Sequence, residues 1–397
     1  MNALAQIETA VTGGETQAMR LRHDRFSIPL APAGPLRFYR DYLMVPHSRG
    51  ELLRSKLARA VPGERSWTGE TEFPVVLLSD ALQREGLTEG PIEAITLGDY
   101  AHSARGKGIA FLFEGAATRP RIIAKISRDP AHARQLDHEL QVLGDLHGRL
   151  ADDLRAAIPA PIARITAGSI GVCCQAALGG RAMYVETRTS LAPARLIDRH
   201  FALAGDWLAR FQLASPNGAV PLGQSGAIAA LKQLRGSALP LSAGARGYIA
   251  DLLRQTEAMA GLPLPLAACH GDFWARNLLV DGPQLGVIDW DGYRASSLVF
   301  EDLFHFVVSY GQGFAWNLGR WAEPVAAFRA TFARSGPMEY AVKTALRTHS
   351  SRHSVPPEAL GVLFPAFLAE RALTRGEFWP RLFEEFAGMD RCACFGS

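Results

Sequence analysis

At 397 residues the chain can build two or three packed units, each with its own core. Its 48% hydrophobic and 20% charged composition is that of a globular protein, and a net charge of +3 is too small to imply nucleic acid or a membrane surface as partner. No apolar run reaches the roughly 18 residues a spanning helix needs. Residues 1–20 lack a signal-peptide core, and five cysteines without a disulfide spacing suit a reducing compartment, so a cytoplasmic protein is expected.

The first ninety residues carry the weakest pattern. Arg25 to Leu43 is rich in Pro, Gly and aromatics and is expected to be an extended loop laid over another surface. Leu52, Leu53, Leu57 and Ala60 recur at helical spacing, and Phe73 to Leu78 has the composition of a strand. Residues 1–90 are therefore set apart as an N-terminal extension, with no catalytic role assigned.

From Ile92 the pattern sharpens. Ala94 to Leu97 and Ile109 to Phe113 are expected strands, joined by a loop ending Arg105, Gly106, Lys107, Gly108. A third strand, Ile122 to Ile126, follows a turn at Gly115 to Pro120. Asp129 is placed to cap a helix that has Pro130 in its first turn and runs to about His147. Ile162 to Ala167 and Ile170 to Ala176 add two strands around Gly168. Residues 91–178 thus form a small antiparallel sheet carrying one helix.

Residues 179–397 are mainly helical. Ile197, Phe201, Ala204, Leu208 and Phe211 mark a buried helical stripe, Ser215 to Gly226 is expected to be loop, and Ala243 to Met259 a helix. Helical patterns then alternate with breaks at Pro337, Pro356, Pro357 and Pro380. His349 and His353 share a helical spacing, but the serines and prolines around them point to a frayed segment and not to a metal site. Cys392 and Cys394 have no second pair with which to hold zinc.

The most specific signal runs from Cys269 through His270, Gly271 and Asp272 to Asn277, followed by Leu278 to Val280 and then Gly286 to Asp291. Two short apolar runs flank Asp281 to Gln284, which is turn chemistry, so a hairpin centred near Pro283 brings Asn277 and Asp289 to one open end. A carboxylate and an amide oxygen placed together suit Mg²⁺ carried on phosphates. An Asp, an Asn five positions later and a hairpin Asp are what phosphoryl transfer needs: Asp272 orients the attacking hydroxyl while Asn277 and Asp289 hold metal.

At these residues the sequence resembles the aminoglycoside phosphotransferase and choline kinase family, whose hallmark is His-Gly-Asp-x-x-x-x-Asn followed by Ile-Asp-aromatic-acidic. The resemblance covers roughly Ile92 to Gly311 and is tight from His270 to Asp291. It implies a bilobal, α+β protein-kinase-like fold, with Asp272 as the catalytic Asp, Asn277 and Asp289 as Mg²⁺ ligands, and Asp302 as a brace for the catalytic loop. It also implies that adenine pairs with backbone near Gln175 to Leu178, including Ala177.

The upstream lobe supports this independently. A kinase-like lobe needs a strand Lys to hold phosphates and a helix acid to hold the Lys. Lys125 ends an apolar strand, and Glu139 lies among Leu136, Leu140 and Leu143, so its carboxylate faces the packed side and requires a cation. The loop from Asp99 to Gly108 is placed over the nucleotide phosphates, with Gly106 and Gly108 allowing close backbone approach and Ser103, Arg105 and Lys107 as donors. It does not match the protein-kinase glycine signature.

Phe273 to Arg276 departs from the family's usual small or His/Pro-containing stretch. Arg276 either stabilises charge on the transferring phosphoryl group or pairs with an acid, and bulky Trp274 argues against an aminoglycoside pocket of the usual kind. The expected activity is transfer of the ATP γ-phosphoryl group to a hydroxyl of a sugar or glycoside, an amino alcohol or an aminocyclitol. The alternative is a nucleotide-binding pseudokinase acting as regulator or scaffold.

Overall fold

Eight strands hydrogen-bond in one antiparallel sheet. They are β1 (Gln17–Arg20), β2 (Phe26–Pro29), β3 (Ser66–Thr68), β4 (Ile92–Leu97), β5 (Lys107–Glu114), β6 (Ile122–Ser127), β7 (Pro161–Ala167) and β8 (Ile170–Ala176), in the order β3-β1-β2-β4-β5-β6-β8-β7. The computed structural model describes residues 17–20, 26–29, 33–43, 66–68, 75–90, 92–97, 107–127, 129–167, 170–317, 323–332, 336–375 and 378–389. The expected helix near Arg49 to Ala60 lies outside these. The chain divides into two compact units: residues 1–181 with 286–291, and residues 182–285 with 292–397.

In the first unit, strand alternation sorts side chains to two faces of the sheet. Ala110, Leu112, Ile122, Ala124, Ile126, Val172 and Cys174 bury one face under Leu78 and Leu82. Those leucines belong to helix α2 (Val75–Arg84), which follows α1 (Ala33–Phe38) in the chain. The opposite face carries Ile109, Phe111, Ile123, Lys125, Cys173 and Gln175, because register pairs Ile109 with Lys125, Phe111 with Ile123, Lys125 with Cys173 and Ile123 with Gln175. Helix α3 (Pro130–Arg149) opens as expected: Asp129 accepts a hydrogen bond from the Ala131 N–H, and Pro130 occupies the first turn.

Two expectations for the N-terminal region are corrected. Of the strand expected over Phe73 to Leu78, residues 73 and 74 lie outside the described residues and the chain from Val75 is helical, because its apolar pattern continues to Leu82, one turn beyond Leu78. Arg25 to Leu43 is not a plain loop: it holds β2, α1 and a π-helical turn at Tyr39–Leu43, in which Phe38 and Tyr39 are buried. The N-terminal extension continues the sheet, since Phe26 and Ser27 of β2 pair with Leu97 and Thr96 of β4.

The second unit is mainly helical around a small antiparallel sheet of Pro216–Pro221, Pro263–Cys269 and Arg294–Leu298. Its first strand was expected as loop; prolines and Gly218 are tolerated there because it is an edge strand. Helices Ile197–Leu213 and Ala243–Ala258 match the predicted stripes, while Gly226–Gly236 is an additional helix. Pro337, Pro357 and Pro380 start helices in their first turns, which is why they read as breaks. The His349 segment is not frayed: helix Pro337–Arg352 runs through it, and the buried His349 donates from Nε2 to the Val299 carbonyl at 2.9 Å. Among the described residues no helix is long and apolar enough to cross a membrane.

Candidate active site

In the first unit Lys125 projects from β6 and is 9% exposed. Its Nζ donates to both carboxylate oxygens of Glu139 at 2.7 Å and to Asp289 Oδ1 at 2.5 Å. Burial alone lowers a lysine's pKa, but the two carboxylates outweigh it and hold the ammonium above its ordinary value. Glu139, 2% exposed on α3, also accepts from the Trp290 N–H at 3.1 Å. The segment that carries Asp289 is thereby tied to α3. Trp290 is fully buried, with its indole N–H on the Val287 carbonyl at 2.9 Å. Asp289 has φ 71°, the left-handed region that Asp tolerates better than most side chains.

Gly108 lies in β5 opposite Ile126, whereas Ser103 and Gly106 are outside the described residues. Gln175 is buried on the Lys125 face of the sheet. The Ala177 N–H is engaged by the Arg121 carbonyl at 2.9 Å.

In the second unit, strand Pro263–Cys269 delivers the chain into His270, Gly271 and Asp272. Gly271 has φ 83°, and a side chain there would collide with the Gly292 carbonyl, so this turn requires glycine. Asp302, 1% exposed at the start of helix Glu301–Asn317, accepts from the His270 N–H at 2.7 Å and the Gly271 N–H at 3.0 Å. One buried carboxylate thus fixes two successive amides, as expected of a brace. The Cys269 thiol donates to the same carboxylate at 3.2 Å, and burial followed by the Asp302 charge pushes it well above the ordinary thiol range.

Asp272 is held from its downstream side. The Asn277 Nδ2 donates at 3.0 Å to both the Asp272 carbonyl and its Oδ2. With the nitrogen committed to Asp272, the Asn277 amide presents its oxygen elsewhere, which fits a hard-cation ligand. His305 Nδ1 lies 3.8 Å from Asp272 Oδ1. Burial first, then Arg371, Arg375 and His270, depress the His305 pKa to about 3, so it faces Asp272 as a neutral imidazole. Sequence reasoning missed His305, although it falls one helical turn after Asp302 on the same helix and its placement was readable from that spacing.

The unusual stretch between Asp272 and Asn277 has a packing explanation. Phe273 is fully buried and stacks on Trp207 at 5.8 Å, anchoring the loop. The Tyr184 N–H donates to the Ala275 carbonyl at 2.9 Å. The exposed Arg276 guanidinium lies 4.4 Å from the Tyr184 ring and 5.0 Å from the Trp274 ring, a double cation–π contact that pre-orients it. Among the described residues it has no acidic partner within ion-pair distance.

The model of the phosphotransferase enzyme family, APH, matches residues 109–364. With that match, the sheet-rich and helical units are the two lobes of an α+β protein-kinase-like fold. Solved structures similar to the chain include a choline/ethanolamine kinase family protein from Mesorhizobium loti, at 16% identity over 81% of this chain and 93% of that one, TM-score 0.40. Another is a macrolide 2'-phosphotransferase from Brachybacterium faecium, at 16% identity over 81% and 98%, TM-score 0.43. A third is a thermostable mutant of an aminoglycoside phosphotransferase, at 15% identity over 79% and 96%, TM-score 0.44. Among curated proteins none matches the sequence.

Proposed function

The chain belongs to the phosphotransferase enzyme family, and we propose that it transfers the γ-phosphoryl group of ATP to a hydroxyl of a small molecule in the cytoplasm. The observation that carries this reading is the fixation of Asp272. Its carboxylate is oriented by Asn277, and the two residues before it are clamped by Asp302. A base held this firmly can align an acceptor hydroxyl and take its proton as the phosphoryl group leaves ATP.

Lys125, kept charged by Glu139 and Asp289, supplies the cation for the nucleotide phosphates. Asn277 and Asp289 offer an amide oxygen and a carboxylate, a donor pair that suits Mg²⁺ and would hold it. When bound, the ion neutralises charge on the phosphate oxygens. Arg276, stacked and without an acidic partner among the described residues, fits stabilisation of phosphoryl charge better than a structural ion pair. Gln175 and Ala177 are assigned to the base site, and Gly108 of β5, Gly106 and Ser103 to the phosphates. A sugar or glycoside, an amino alcohol or an aminocyclitol is the acceptor class.

The intact set of Lys125, Glu139, Asp272, Asn277 and Asp289 argues against a pseudokinase, which has no need of a base. The test is ADP release from Mg²⁺·ATP across a panel of these hydroxyl compounds, with Mg²⁺·GTP run in parallel, alongside the melting temperature in millimolar nucleotide. A nucleotide-dependent rise with acceptor-dependent ADP release is expected. No rise with either purine and no release would overturn the reading.

A further inference from the structure

Residues 33–43 lie against the sheet face that carries Lys125. Phe38 packs against Phe111 at 5.9 Å and Phe113 at 5.5 Å between ring centroids. Phe113 is two residues from Phe111, and Phe111 pairs with Ile123, which is two residues from Lys125, so all four side chains leave one face. The attachment has several points. Position 34 has no room for a side chain beside the Ala117 carbonyl, so Gly34 lets the backbone approach the β5–β6 turn. Tyr39 is 1% exposed. Tyr42 stacks on Phe38 at 5.0 Å, accepts from Arg119 Nη2 through its hydroxyl at 2.7 Å, and lies under the Arg119 guanidinium. Arg181 donates to the Asp41 carbonyl and also approaches the Tyr42 ring.

Coverage of this face is uneven. Phe113, at the turn end, is fully buried, whereas Ile109, Phe111 and Ile123 remain partly exposed. An apolar strip therefore runs inward from Phe38 toward Lys125. Ile122 pairs with Ala176 at the end of β8, three residues and about 10 Å along the sheet from Lys125. That is the kind of separation found between a nucleotide's phosphate chain and its base.

On the reading that Lys125 holds nucleotide phosphates, we propose that Phe38 and Tyr42 form the outer wall of the nucleotide-base site. The base lies against Phe111 and Ile123, Phe38 closes the outer end, and Tyr42, held by Arg119 and Arg181, keeps Phe38 in place. Residues 33–43 are thereby positioning residues for the nucleotide.

Calorimetric titration of the full chain with Mg²⁺·ADP and, separately, with Mg²⁺·tripolyphosphate tests this. Phe38→Ala is expected to weaken ADP binding about tenfold, which corresponds to about 1.4 kcal/mol, while leaving tripolyphosphate affinity unchanged. Arg119→Met, an exposed change that loosens Tyr42, is expected to give the same pattern at smaller size and covers the case in which Phe38→Ala fails to fold. Tighter ADP binding in either variant would make the segment a plug, and equal losses for both ligands would make its role structural. Either result, or no change in ADP affinity, overturns the proposal. A parent that binds neither ligand removes the phosphotransferase reading itself, whereas a parent that binds ADP with variants that match it leaves that reading standing and defeats only the wall.

Discussion

Lys125 and Asp289, 164 positions apart in sequence, meet at 2.5 Å, and the same ammonium is shared with Glu139. The lysine therefore neutralises two carboxylates, one of them almost fully buried. Its removal has a structural cost as well as a functional one.

Lys125→Met is expected to lower stability by about 3–5 kcal/mol, because it strands the Glu139 carboxylate in the interior. The double variant with Glu139→Gln should recover most of that stability, since no buried charge then lacks a partner. Nucleotide binding should stay lost in both. Urea unfolding paired with nucleotide titration separates the effects; a single variant as stable as the parent would mean that the triad is not buried as described.

Asp272→Asn keeps a hydrogen-bonding side chain in the clamped loop but removes the proposed base. Nucleotide affinity should be retained, while acceptor phosphorylation falls by on the order of a hundredfold or more. Parent-like turnover in this variant would remove Asp272 from the chemistry.

How much of this was legible in the sequence follows from the range of each interaction. The strands β5, β6 and β8 were readable because a short apolar run is a local signal, and the cap at Asp129 because the N–H that donates to it lies two residues away. Glu139 was placed beside a cation because leucines around it set its face. Helix Val75–Arg84 was misread because four apolar residues fit a strand or a buried helix equally, and only burial at Leu82 decides. The docking of Phe38 on Phe111 and the Lys125–Asp289 pair depend on long-range packing, and no local pattern encodes them.

Two buried histidines should make the protein acid-sensitive. Burial depresses both His305 and His349 to about 3, well below the ordinary imidazole value of about 6.5. Each is neutral when folded and takes up a proton on unfolding between those values, so stability should fall as pH drops below about 6.5. Around His349 the titratable or charged neighbours are His353 and Arg352, which reinforce the depression, while the Val299 carbonyl opposes it. His349→Gln can still donate to Val299 and should flatten the pH slope by up to about 1.4 kcal/mol per pH unit. Urea unfolding of parent and variant at about pH 7 and about pH 5 measures it, and coincident slopes would exclude His349 as a source.

The two acids of the Ile288 to Asp291 stretch should have unequal roles. Asp289 is held in a left-handed conformation with Oδ1 on Lys125, whereas Asp291 lies in the 3₁₀ turn Trp290–Gly292 with its side chain exposed. Between them Trp290 is fully buried and its N–H is bonded to Glu139, so the backbone cannot rotate to exchange the two carboxylates. On the proposed function, Asp289→Asn removes a full ligand charge beside the phosphates and should abolish Mg²⁺-dependent turnover. Asp291→Asn should retain measurable activity and shift mainly the Mg²⁺ or acceptor concentration required. Phosphoryl transfer titrated with Mg²⁺ at saturating ATP compares them. Complete loss in both would put Asp291 in the metal site as well. Loss in Asp291→Asn alone would transfer the ligand role to the exposed turn, and the Lys125–Asp289 contact would then be structural only.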